Sequence, residues 1–124
     1  MKQQKIRYTN VTGTTKERKQ VMKKYTLYLG LNDKDTKTQL ISTLESYKMV
    51  ANILKSLNYD GATIFEAVGL YKHDDGTFVT ESTLRIEILD FNKQGVNTLV
   101  STLKSLFNQE SVAVQEETIT SKLM

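Results

Sequence analysis

The spacing of apolar residues alternates along this chain between steps of two and steps of three or four, and the changes divide it into elements. Tyr25 to Leu31 alternates aromatic and aliphatic residues with polar ones, which predicts a first strand. Asn32 to Asp35 reads as a turn, and Thr36 with Gln39 three residues later reads as a capping box that opens a helix. Leu40, Leu44, Tyr47, Ala51 and Leu54, with Ile41, Val50, Ile53 and Leu57, recur at helical spacing and carry that helix to about Leu57. Asn58 or Gly61 can take the left-handed conformation that helix ends favour. Two further alternating segments follow, joined at His73 to Gly76, where Asp75-Gly76 supplies a hairpin turn. Ile64, Val68 and Leu70 share one face of the first segment; Leu84, Ile86 and Ile88 point inward on the second, and Arg85 and Glu87 outward. Val96, Leu99, Val100, Leu103, Leu106 and Phe107 form the stripe of a second helix over Lys93–Phe107, with Asn92 as its N-cap. Ser111–Gln115 is a short last strand.

The order β-α-β-β-α-β predicts an α+β fold of the ferredoxin-like type. It is a four-stranded antiparallel sheet with both helices on one face. The other face is then left without helices. It is expected to carry Tyr28, Phe65, Tyr71 and Val79, with Tyr25 as a further candidate, among threonines and Glu81. An aromatic-bearing open sheet usually marks an interface. Self-association through Tyr28, Phe65, Tyr71, Val79 and Glu81 is therefore the expectation, with cover by one of the chain ends as the alternative.

Composition narrows the chemistry. The 124 residues suit one core, and the absence of cysteine excludes disulfides, thiolate catalysis and cysteine-ligated metal centres. No apolar run is long enough to span a bilayer, and no apolar stretch follows the basic residues at the start, so a cytoplasmic protein is expected. The net charge of +3 conceals an asymmetry: residues 1–24 carry eight basic residues against Glu17 alone, and the other hundred carry nine basic against thirteen acidic. Residues 1–21 read as a basic leader outside the fold, with 22–124 as the single domain. Lys16, Glu17 and Arg18 can be encoded by a purine-rich ribosome-binding sequence placed before Met22, which makes an over-long gene start one origin of the leader. A nucleic-acid tether is the other reading, since basic arms bind phosphate without sequence preference.

Candidate catalytic groups are sparse. His73, the only histidine, lies beside Asp74 and Asp75, but three adjacent turn residues rarely converge on one ion, so no metal site is expected. Glu66, Glu81 and Glu87 are strand carboxylates and read as solvated charges before they read as an acid–base pair. No nucleophile–base–acid set is visible, so no catalytic residue is assigned. An RNA-binding sheet is disfavoured by an acidic body without basic residues among the aromatics.

Gly61 to Lys72, then Leu84 to Leu89, then a helix and a short strand, resemble the PII signal-transduction proteins and their CutA-type relatives. Gly76 to Glu81 is closer to the CutA side, and Gln109 to Val112 resembles small uncharacterised bacterial proteins of that superfamily. The resemblance covers residues 25–119. It implies a ferredoxin-like fold, a homotrimer assembled through the open sheet faces, and a non-catalytic binding or regulatory module that acts through protein contacts or a small ligand between subunits. Two departures matter. Lys72–Gly76 is a tight turn where PII proteins have a long signalling loop. Phe107–Ser111 lacks the glycines of their phosphate-binding loop and places Glu110 where phosphates would sit. ATP binding is therefore not expected, and no cofactor is assigned. The alternative function is a small phage- or plasmid-encoded inhibitor or accessory protein that engages a nucleic-acid-handling complex. The lysine- and threonine-rich, cysteine-free composition suits it.

Overall fold

The structure, a computed structural model, describes residues 7–9, 15–17, 20–72, 75–90, 96–122 and 124. A short ladder pairs β1 (Arg7–Thr9) with β2 (Thr15–Glu17). Then come β3 (Gln20–Gly30), α1 (Thr43–Ser56), β4 (Ala62–Lys72), β5 (Phe78–Asp90), α2 (Asn97–Leu106) and β6 (Ala113–Ser121). The four long strands form one antiparallel sheet in the order β4-β5-β3-β6. From β3 onward this is the β-α-β-β-α-β order read from the sequence, and the fold is α+β and ferredoxin-like. No helix among the described residues is long and apolar enough to cross a membrane.

The core lies between the sheet and the helices. Leu27 and Leu29 of β3 meet Leu84, Ile86 and Ile88 of β5, all essentially inaccessible, and Val50, Ile53, Leu99 and Leu103 close over them. Strand alternation sends the intervening residues to the opposite face. Tyr25, cross-strand partner of Ile88, packs against the core cluster, so its assignment to the open face is corrected: it lies on the helix side.

The element ends differ from the sequence reading in instructive ways. α1 begins at Thr43, because Ser42 is its N-cap and accepts the Glu45 N–H at 3.1 Å. The Thr36–Gln39 box caps nothing; Gln39 Nε2 donates to Ile41 O and Thr43 Oγ1 at the entry to the helix. Leu40, Leu44 and Tyr47, expected in the core, are exposed, and Ser46 occupies the buried side instead. Asn58 takes the left-handed conformation after α1, with φ 64°, and Gly76 does so in the hairpin turn, with φ 89°. α2 starts at Asn97 with no side-chain cap, and Leu106 of its expected stripe is exposed. The expected cap Asn92, with Lys93, lies outside the described residues, as do His73 and Asp74. β3 starts five residues before the expected Tyr25, and β6 runs on to Ser121, because Gln20–Tyr28 and Ala113–Ser121 pair along their whole length.

Candidate ligand site on the helix-free sheet face

The open sheet face divides into two halves of different character. At one end a depression of about 640 Å³ is lined by Tyr28, Gly30, Gly69, Tyr71, Val79, Glu81 and Thr83 of the sheet, with Asn32, Lys34 and Gln109 on its rim. Four of the five interface candidates, Tyr28, Tyr71, Val79 and Glu81, are thus brought together. The fifth, Phe65, is not among the lining residues; it sits further along β4, where the Arg85 guanidinium lies 5.3 Å from its ring centre.

Two glycines make the depression. Gly69 is the cross-strand partner of Glu81, and Gly30 that of Thr83, on the two sides of β5. A Cβ on Gly30 would lie 2.5 Å from Glu81 Oε1 and 2.7 Å from its Cδ, so the Glu81 side chain lies flat over the backbone of β3 only because residue 30 is glycine. A Cβ on Gly69 would fall 2.9 Å from Thr83 Oγ1. Glu81 is further held by the Asn32 N–H, which donates to Oε2 at 3.0 Å. Tyr71 feels this arrangement: partial burial, and then the negative charge of Glu81, raise its phenol above the ordinary tyrosine value. The phenol therefore stays protonated at neutral pH.

The rim is a clamp between two loops. Asn108, itself left-handed at φ 48°, donates from Nδ2 to Asp33 Oδ1 and Asp35 Oδ2, both at 2.8 Å, and its carbonyl accepts the Lys34 N–H at 3.0 Å. Gln109 Nε2 donates to Asn32 O at 2.6 Å. The Thr36 N–H, then the Asn108 amide, hold the Asp33 carboxyl below its ordinary value. Phe107–Ser111, the place where a phosphate loop would lie in the PII pattern, therefore serves here as a strut.

The other half of the face is a charge ladder across three strands. Arg85 Nη2 meets Glu87 Oε2 at 2.6 Å, Lys24 Nζ reaches the same oxygen at 3.6 Å, and Lys24 also reaches Glu117 Oε1 at 3.6 Å. Arg85 points outward as read from the sequence, and with Lys24 it puts basic residues on a face expected to have none among its aromatics, but both are neutralised by carboxylates. The described residues hold no group of three metal-ligating side chains.

The depression is a concave, half-apolar site lined by two phenols, by the carboxylates of Glu81, Asp33 and Glu110, and by Lys34 and Lys37. Its carboxylates outnumber its lysines by three to two, and a carboxylate and tyrosine faces both attract a cation, so the Glu81 end suits a small ligand that carries positive charge. Alternation in the sequence was enough to place Tyr28, Tyr71, Val79 and Glu81 on one face of the sheet. It passed over Gly30 and Gly69, whose signal was available: a glycine inside a strand marks a bulge or a close approach.

The chain belongs to the family described as "Protein of unknown function (DUF3574)", which matches residues 24–122. Among solved structures it is similar to a phage SAM lyase in complex with S-methyl-5'-thioadenosine, at 23% identity and TM-score 0.61, over 82% of this chain and 90% of that one. It is also similar to a phage SAM lyase in the apo state, at 22% identity and TM-score 0.62, over 84% and 90%. At these identities the likeness is one of fold. No curated protein matches the chain.

Proposed function

We propose that this chain is a small-molecule binding module of the PII/CutA type, and that its ligand is a compact cation attached to a flat ring system, the class to which sulfonium nucleosides belong. The observation that carries this reading is Glu81, a carboxylate laid over Gly30, anchored by the Asn32 N–H, and placed in a depression shared with Tyr28 and Tyr71. The likeness to phage SAM lyases supports it, since that fold accommodates a thioadenosine in one of them. A sulfonium gains from the carboxylate and the tyrosine faces what a neutral thioether does not.

Calorimetry with S-adenosylmethionine and with S-adenosylhomocysteine, its neutral thioether counterpart, tests the charge requirement. The sulfonium is expected to bind at least tenfold more tightly, and Glu81→Gln to abolish the difference. Equal affinity for both, or no binding of either, would refute the reading. The same incubation analysed by chromatography separates a binding module from a lyase: the ligand is expected to remain intact, and release of S-methyl-5'-thioadenosine would make the site catalytic.

The second reading, a phage- or plasmid-encoded accessory protein, is favoured by one observation: two of the similar structures are phage proteins. It is compatible with the first, and prophage or conjugation genes beside this one would support it.

A further inference from the structure

We propose that Lys34 and Lys37 hold the carboxylate of the ligand, so that the cation taken by Glu81 belongs to a molecule with an α-amino acid head. The inference rests on the reading of Glu81 as the acceptor of a cation and extends that site to its rim. Both lysines line the depression, with Asp33 and Glu110 beside them. Both are exposed, and among the described residues neither ammonium forms an ion pair. Asp33, the acid nearest to them in sequence, is already engaged. Its Oδ1 accepts the Asn108 amide, and its Oδ2 accepts the Asp35 and Thr36 N–H groups.

The backbone fixes where the lysines stand. The Asp33 N–H donates to Thr38 O and the Lys37 N–H to Asp33 O, both at 2.8 Å, and the Lys34 N–H donates to Asn108 O at 3.0 Å. The closed turn holds Lys37 at φ 62°, a left-handed conformation that glycine adopts freely and a lysine adopts at a cost. A lysine at such a position has its side chain to offer in return. The two charged ends are also close. The Asn32 N–H holds Glu81 Oε2 at 3.0 Å, and Lys34 follows Asn32 by two residues, so those two Cα atoms are at most about 7 Å apart. A ligand that reaches from the acid to the ammonium groups needs a cation and an anion a few bonds apart, and a sulfonium amino acid has that make-up. The signs on the rim favour a carboxylate over a phosphate. An amino acid head, a carboxylate beside an ammonium, matches two lysines with Glu110 among them, whereas a phosphate dianion meets Glu110 and Asp33 as it approaches.

Calorimetry on the full chain with S-adenosylmethionine, its decarboxylated analogue and S-adenosylhomocysteine tests the proposal. The analogue keeps the sulfonium, the ring system and the amine, and carries more net positive charge. The acids of the depression by themselves favour it, so a preference for S-adenosylmethionine must come from groups that hold the carboxylate. Wild type is expected to bind S-adenosylmethionine about tenfold more tightly than the analogue. Lys34→Met with Lys37→Met keeps the apolar stems and is expected to reverse that order, with circular dichroism and the preference for sulfonium over thioether unchanged. Lys48→Met with Lys55→Met removes the same charge from α1, outside the depression, and is expected to leave the order as in wild type. Lys37→Gly is expected to melt above wild type, because the left-handed strain is gone, and to bind S-adenosylmethionine more weakly. An analogue that binds wild type as tightly as S-adenosylmethionine, or an order that survives in Lys34→Met with Lys37→Met, would overturn the proposal; the reading of Glu81 then stands if the sulfonium still outbinds the thioether. Equal binding of sulfonium and thioether, both tighter than the analogue, would instead refute the reading of Glu81 and uphold the lysines as the carboxylate site. Binding of none of the three would overturn both.

Discussion

Gly30→Ala tests whether the depression is built as described. The new Cβ would stand 2.5 Å from Glu81 Oε1, 2.7 Å from Cδ and 2.8 Å from Oε2. These are the far atoms of a flexible side chain, so the backbone can stay where it is and Glu81 must leave. In leaving it loses the Asn32 N–H, a charge-assisted hydrogen bond of about 1.5–3 kcal/mol in a buried setting. The Glu81 side chain is partly exposed and water replaces much of that bond, which reduces the loss to about 1 kcal/mol. Against it stands the gain from replacing glycine by alanine inside a strand, about 0.5–1 kcal/mol. The two nearly cancel. Gly30→Ala is expected to change stability by no more than about 0.5 kcal/mol, yet to weaken the binding of a cationic ligand as much as Glu81→Gln does.

The near-cancellation is itself testable. In a Glu81→Ala background there is nothing for the Cβ to displace, so Gly30→Ala is expected to stabilise by about 0.5–1 kcal/mol. Urea unfolding of the four proteins should return a coupling energy of about 1 kcal/mol. Gly61→Ala is the control, because a Cβ there meets nothing within 4 Å. If Gly30→Ala destabilises equally in both backgrounds, the glycine is required by something other than Glu81, and the account of the site fails with it.

Leu103→Ala, at a fully inaccessible position of α2, is expected to lower stability by about 2–5 kcal/mol in the same urea assay; a loss under 1 kcal/mol would mean that α2 is not closed over the sheet. The depressed Asp33 carboxyl sets a pH dependence. A group whose folded pKa lies below its ordinary value of 3.8 stabilises the fold above that value and loses its contribution as pH falls through the folded pKa. Asp33→Asn should therefore melt below wild type at neutral pH, and the gap should close towards pH ~2; a gap that persists at acid pH would put the effect in packing.

The strand order was legible because each strand alternates cleanly and the turns carry their own signals. The helix was less so. The helical segment read from the sequence has apolar residues on more than one side, at Leu40, Ile41, Leu44, Tyr47, Val50, Ile53, Leu54 and Leu57, so spacing alone admits two choices of buried face. Contact with the sheet decides between them, and it selects Ser46, Val50, Ile53 and Leu54. The start of α1 was written as Ser42 with Glu45 three residues on, as good a box as Thr36 with Gln39. What separates the two is distant: the 32–39 segment is held by Asn108 and Gln109, some seventy residues away, and local spacing carries no trace of that clamp.

The site shows the same boundary between local and non-local information. Tyr28, Tyr71, Val79 and Glu81 share a face because side chains alternate along a strand, and alternation is local. Their convergence on one depression depends on register. Gly69 stands opposite Glu81 and Gly30 opposite Thr83, so the two cleared positions lie diagonally across β5, each next to the side chain that the other leaves room for. A slip of one residue between β3 and β5 would turn Gly30 to the helix side and bring a Cβ-bearing neighbour under Glu81. The buried face holds the register in place: Leu27 opposite Ile86 and Leu29 opposite Leu84 admit no such slip without exposing the core. The apolar pairs that make the fold stable thus also hold an acid over a glycine on the other side of the sheet. A search for sites in sequences of this kind should look for a strand glycine two residues from the cross-strand partner of an acidic residue, since neither residue alone is a signal.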